Sequence, residues 1–155
     1  MTYDRTKVVE YAYQWAMGRN PRFYDFSELG GDCTNFVSQC IYAGAGRMNH
    51  TKDTGWYYIS AQNRSASWTS AHYLHKFLTT NTGIGPYGKC VPLTEVQLGD
   101  VIQLSFDGGA FTHSSIVVQT TPEIMVAQHS ANYINRPLST QVYQQIRAIH
   151  ILGVR

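Results

Sequence analysis

The sequence predicts an α+β fold in which N-terminal helices pack on a C-terminal antiparallel sheet. Apolar residues recur at helical spacing within the first 80 positions, over residues 4–18, 33–43 and 70–78. The later part carries short runs rich in β-branched residues, at 101–106, 112–119, 124–129 and 143–152, separated by turn formers. Helices first and strands last, without βαβ alternation, define this class.

Each element has its own signature. Asp4 can cap the first helix, whose face is Val8, Val9, Tyr11, Ala12, Trp15 and Ala16. Arg19-Asn20-Pro21 ends it. Residues 21–31 read as a loop. The second helix is expected from about Cys33 to Ala43, with Phe36, Val37, Cys40 and Ile41 buried and Gly44 and Gly46 terminating it. Residues 47–68 read as a long loop with one short strand at 57–59. Ser67 or Thr69 is expected to cap the third helix, and 79–92 is expected to be loop, punctuated by Gly83, Gly85, Pro86 and Gly88. Asp107-Gly108-Gly109 turns the chain between the first two strands, and 143–152 reads as an edge or terminal strand.

A chain of 155 residues can bury a core of its own as one domain. The hydrophobic share of 43% and charged share of 14% are those of a folded globular protein. A net charge of +2, with basic residues scattered, gives no nucleic-acid footprint. No apolar run is long enough for a transmembrane helix, and no apolar signal segment follows Met1. The expectation is therefore either a cytoplasmic chain or a domain excised from a longer exported protein. Oligomeric state is not legible.

The chemistry concentrates at Gly30-Gly31-Asp32-Cys33-Thr34-Asn35. A cysteine in the first turn of a helix faces unpaired N–H groups and the positive end of the helix dipole, both of which favour thiolate. His113 opens a strand and could serve as base; a surface histidine is the plainer reading. If strands 112–119 and 124–129 pair as a hairpin, His129 lies near His113 and could fix its tautomer. Gln128, Asn132 and Asn135 compete for this role. Adjacent strand positions alternate faces, so Gln128 and His129 cannot both face His113.

The other candidates carry less. Three cysteines leave at least one thiol without an intrachain partner. Cys33 and Cys40 lie roughly 10 Å apart on one helix, too far for a disulfide. Cys40 reads as a buried apolar residue, and Cys90 sits in a polar loop without a role. His72 and His75 are an i, i+3 helical pair with no third metal ligand in view; neither a metal nor an organic cofactor is expected. His50 lies in a loop, and His150 reads as packing. Trp56-Tyr57-Tyr58 and Trp68 are either core or the wall of a groove for sugar or peptide.

Gly-Gly-Asp-Cys-Thr-Asn-Phe-Val-Ser-Gln, together with Gly-Trp-Tyr-Tyr, Ser-Trp-Thr-Ser, Leu-Gly-Asp-Val-Ile-Gln-Leu and Ala-Gln-His-Ser, resembles the putative amidase domain family of Gram-positive bacteria over nearly the whole chain. That family is similar to the NlpC-type and CHAP-type hydrolases among papain-like cysteine peptidases. The resemblance implies a papain-like core with Cys33 as nucleophile, His113 as base and His129 as third polar residue. It also implies Gly99 and Asp100 as a structural turn and Tyr24 as the polarising aromatic. Where NlpC-type enzymes have Asp-Cys-Ser-Gly, this chain has Asp-Cys-Thr-Asn.

The expected activity is cysteine-dependent cleavage of an amide bond in a peptide or peptidoglycan stem through a thioacyl-enzyme. The Cys33 N–H would serve as oxyanion donor, and Asp32, Trp56, Tyr58 and Trp68 would lie along the substrate groove. Such a substrate implies an extracellular or wall-associated setting. The alternatives are acyl transfer by the same intermediate and a non-catalytic wall- or peptide-binding module.

Overall fold

The computed structural model describes residues 2–155. In chain order the elements are α1 (Arg5–Trp15), α2 (Asp32–Ala45), β1 (Tyr58–Ser60), β2 (Asn63–Arg64), α3 (Ala66–Thr69), α4 (Ala71–Thr80), β3 (Pro86–Val91), β4 (Val101–Ser105), β5 (His113–Gln119), β6 (Met125–Gln128), β7 (Tyr133–Pro137) and β8 (Gln145–Val154). β1 and β2 form a small ribbon. The other six strands make one antiparallel sheet in the order β3-β8-β4-β5-β6-β7. The α+β class is thus as expected.

Local chemistry sets the helix ends. The Asp4 carboxylate accepts from the Lys7 N–H at 3.1 Å and starts α1. The helix stops at Trp15, short of the expected 18. The Trp15 carbonyl is satisfied instead by the Gly18 N–H at 3.2 Å and by His129 Nε2 at 2.9 Å. α2 is entered through Gly31 at φ 84, and a Cβ there would lie 2.5 Å from the Thr69 carbonyl. Gly44, expected to end α2, instead lies inside it. A Cβ at Gly44 would overlap Val8, so the missing side chain lets α1 pack directly on α2. Gly46 is the left-handed cap. Ser70 caps α4 by accepting from the Tyr73 N–H, rather than Ser67 or Thr69.

The sheet has a major and a minor core face. The helices cover Val101, Ile116, Val118, Ala127, Ile149 and Ile151, with Phe36, Val37, Cys40, Ile41, Trp56, Trp68 and Leu74 facing them. The opposite face packs Ile102, Leu104, Val117, Val126 and Ala148 under Val96 and Leu138. Trp56 and Trp68 are completely buried, with ring centroids 4.8 Å apart. They therefore fill the core and line no open groove, contrary to that expectation.

Two edge strands fall where no strand is expected from the sequence. β3 occupies the expected 79–92 loop and pairs with β8, and β7 pairs with β6. Pro, Gly and polar residues are tolerated at edges because one side of the ladder needs no partner. β8 is consequently interior, not an edge. Asp100 ties the sheet to the helices: its buried carboxylate meets Arg5 at 2.8 Å, His150 Nδ1 at 2.8 Å and the Ile151 N–H at 3.0 Å.

Candidate active site

The start of α2 is held by Asp32. Its carboxylate accepts from the Phe26 N–H at 3.1 Å and Asn35 Nδ2 at 3.2 Å, and meets Arg19 at 2.5 Å and His129 Nδ1 at 3.0 Å. Burial opposes ionisation of Asp32, but the hydrogen bonds from His129, Asn35, Arg19 and Phe26 outweigh it and hold the carboxyl at about 2. Asn35 also donates to the Tyr24 carbonyl at 3.1 Å and accepts from Trp68 Nε1 at 3.0 Å. Asp32 is a brace for the helix start, with a side chain only 2% exposed, and not a groove residue.

Cys33 is the next residue and remains partly accessible. β5 pairs with β6 from Ile116 onward, and α2 enters beside the earlier residues of β5. The Cys33 thiol faces the Thr112 carbonyl at 3.6 Å and also feels the backbone of Ser114. It therefore sits against the main chain on both sides of His113. Next along the helix, Thr34 Oγ1 meets Ser114 Oγ at 2.9 Å, and Gln103 Nε2 donates to Ser114 Oγ at 3.2 Å. These buried hydroxyls and the amide clamp α2 to β4 and β5.

The sequence suggests a thiol shifted toward thiolate; the structure gives the opposite direction. Burial raises the Cys33 pKa above its ordinary value, and the adjacent Asp32 charge adds to this. Hydrogen bonds from the Ser114 and Thr34 backbones and the Thr34 hydroxyl only partly offset it. Burial also lowers the His113 pKa, with Gln128 acting against that effect and Arg136 reinforcing it. Both shifts favour the neutral forms, the thiol at Cys33 and the imidazole at His113.

The two central histidines have contrasting surroundings. The Val117↔Val126 register puts His113, Ser115 and Val117 on the same face as Val126 and Gln128. His113 is 6% exposed, and its Nε2 has no hydrogen-bond partner among the described residues. Oε1 of Gln128 is likewise buried and unpartnered, while its Nε2 donates to the Ala131 carbonyl at 3.2 Å. That donation fixes the amide so that its oxygen is the acceptor. His129 lies on the opposite face, stacked on Phe36 with centroids 4.3 Å apart. Its Nδ1 meets Asp32 at 3.0 Å and Arg19 at 2.8 Å, and its Nε2 meets the Trp15 carbonyl at 2.9 Å. The expected His129–His113 contact is therefore replaced by one between Gln128 and His113. Strand parity carries this correction: the two neighbours must point opposite ways, and only the register says which faces His113.

The remaining candidates are dispersed. Tyr24 is 49% exposed and borders a cleft of about 300 Å³ with Asp25, Ser27, Glu28 and Leu29. Its backbone is tied down by Tyr58, whose hydroxyl accepts the Tyr24 N–H at 2.9 Å. Tyr58 itself borders a different cleft with Arg22, Tyr42, Arg47, Met48 and His50. Asn135 takes the Tyr13 hydroxyl at 2.7 Å, away from His113. Among the described residues, no group of three His, Cys, Asp or Glu side chains is gathered to hold a metal, and no helix is long and apolar enough to cross a membrane. Arg19, Gln103 and Ser114 had no signal in the sequence, because each acts through a partner distant along the chain.

The fold is thus an α+β domain in which a cysteine at a helix start is set against the opening of a histidine-bearing strand. The family model described as a putative amidase domain matches residues 2–152, and the chain belongs to that family. It is 34% identical to the uncharacterized protein YhbB of Bacillus subtilis (strain 168) over 137 residues, covering 86% of this chain and 43% of that protein. It is 28% identical to the uncharacterized protein YjcM of the same strain over 144 residues, covering 87% of this chain and 32% of that protein. The chain thus spans less than half the length of either relative. No solved structure matches it.

Proposed function

We propose that this domain is a cysteine amidohydrolase that cuts an amide bond in a peptide or peptidoglycan stem, on a papain-like arrangement of NlpC type. One observation carries the reading: the accessible Cys33 thiol lies 3.6 Å from the carbonyl that precedes His113, a buried histidine next to Gln128 with no hydrogen-bond partner for its Nε2 among the described residues. A histidine buried without full satisfaction costs stability, and such costs concentrate where chemistry needs the group. Family membership supports amide hydrolysis.

In this reading the resting pair is neutral. As the sulfur attacks the amide carbon, the thiol proton passes to His113 Nδ1. Gln128 Oε1 accepts the Nε2–H, fixing the tautomer that leaves Nδ1 free and steadying the imidazolium as it forms. The Cys33 N–H has no partner four residues back inside α2, so it is available to the developing oxyanion. The tetrahedral carbon expels the amine, which takes the proton from His113. Water then attacks the thioester, returning the thiol and releasing the acid. Acyl transfer differs only in the nucleophile of this last step.

The test is mass-spectrometric analysis of stem peptides and muropeptides incubated with wild type and with Cys33→Ala. Cleavage of one amide bond by wild type, absent in the variant while the fold is retained, is the expected result. Equal cleavage by both would contradict the mechanism. A second reading, a wall- or peptide-binding module, draws on the raised Cys33 pKa, which suits an inert thiol. Binding of intact stem peptides without turnover by wild type would favour it.

A further inference from the structure

A thiol–imidazole pair lies away from the site just described. Cys90, on edge strand β3, is exposed, and its sulfur is 3.4 Å from Nε2 of His75 on α4. In the sheet order, β8 and β4 separate β3 from β5. Cys90 pairs with Ile149 of β8, which directs it toward the helical face where His75 sits. Two residues before Ile149, Arg147 is fixed by donating to Gln103 at 2.8 Å and by the Phe111 ring, 4.0 Å beneath its guanidinium.

We propose that Cys90 is a thiol–disulfide exchange site for small anionic disulfides, with His75 as its base. The thiol passes its proton to His75 Nε2 while the sulfur attacks one sulfur of the incoming disulfide. The new Cys90–S bond forms as the old S–S bond breaks, and the departing thiolate recovers the proton from His75. The disulfide is the oxidant, and the products are a protein mixed disulfide and one free small thiol. Burial, together with the Arg147 and His72 charges, lowers the His75 pKa, so the imidazole is neutral and can accept a proton at pH 7. Arg147 makes the surroundings of the sulfur positive, which draws in an anionic partner. Exposure on an edge strand gives the disulfide access that buried Cys40 denies. None of this depends on the role proposed for Cys33.

The rate of mixed-disulfide formation with oxidised glutathione at pH 7, mapped to each cysteine by peptide mass spectrometry, tests the assignment. Cys90 in the folded protein should react about tenfold faster than the same cysteine in a synthetic peptide spanning residues 86–92. His75→Gln should remove most of that advantage and leave the rate at Cys33 unchanged. Cystamine, a cationic disulfide, should gain less from the folded protein than glutathione disulfide does. A folded-protein rate no faster than the peptide overturns the proposal, and this comparison needs no variant. An unaltered rate in folded His75→Gln overturns the role of His75, and an equal gain with cystamine overturns the preference for anions.

Discussion

His113 and His129 sit on neighbouring strands and look interchangeable in the sequence, yet they occupy opposite chemical situations. His129 has both ring nitrogens engaged, by Asp32 and Arg19 on one side and the Trp15 carbonyl on the other, and its ring is stacked on Phe36. It joins α1, α2 and β6 into one body. His113 is nearly as buried but has an unsatisfied Nε2, facing an amide oxygen that is also unsatisfied. A saturated buried histidine is part of the frame, whereas an unsaturated one keeps a ring nitrogen uncommitted to the frame. The difference makes His129 a frame residue and is why the proposed mechanism uses His113.

The sharpest way to break this contrast is at the thiol and its base. Cys33→Ala and His113→Ala should each lower turnover of a stem peptide by about a thousandfold or more, with unfolding midpoints close to wild type. Loss of the midpoint together with activity would make His113 a frame residue as well. The next effect lies on the other face. Asp32→Asn removes one side of a buried ionic cluster and leaves Arg19 and His129 facing a neutral amide. A loss on the order of 3 kcal/mol in urea unfolding is expected. An unchanged midpoint would mean that the cluster does not hold α2 in place.

Gln128→Ala should be the reverse of Asp32→Asn. Turnover should fall roughly 10- to 100-fold, near the effect of losing an orienting partner, while stability shifts by less than about 1 kcal/mol. A Gln128→Ala enzyme at full activity would remove Gln128 from the mechanism.

The smallest effects are in pH. Asp32 is held below its unfolded value, so its contribution to stability is complete above about pH 4 and is lost as pH falls toward 2. Acid unfolding followed by circular dichroism should show this destabilisation in wild type and a flatter profile in Asp32→Asn. Cys33, shifted upward, should alkylate slowly with iodoacetamide at pH 7 and accelerate only above pH 9. Rapid labelling below pH 7 would replace the neutral pair with a preformed thiolate–imidazolium pair.

Much of this was legible before the structure. The Gly-Gly-Asp-Cys run marks the start of α2 because only glycine accepts the backbone at Gly31 and an acidic residue suits the first turn. His113 was a candidate because it opens an apolar strand at the rim of the sheet, and the structure buries it instead of leaving it on the surface. What the sequence could not convey was register. Gln128 and His129 differ by one position, and one position reverses the face of the sheet. Nor could it separate aromatic core from aromatic groove. Trp56 and Trp68 lie in polar-looking segments and are buried by long-range packing against Phe77 and α2, with their indole N–H groups bonded to Ser38 and Asn35. The direction of the Cys33 shift was hidden for the same reason: the helix terminus is local, whereas the burial that opposes it comes from β5, about 80 residues downstream.

The central claim is that Gln128, and not His129, sets the tautomer of His113, and ¹⁵N NMR of the histidine side chains tests it without a substrate. The account predicts that His113 is neutral with its proton on Nε2 at pH 7. Its ring-nitrogen shifts should change markedly in Gln128→Ala and stay in place in folded Phe36→Leu, which disturbs only the His129 side. A His113 protonated on Nδ1, or one that responds to Phe36→Leu and not to Gln128→Ala, would contradict it.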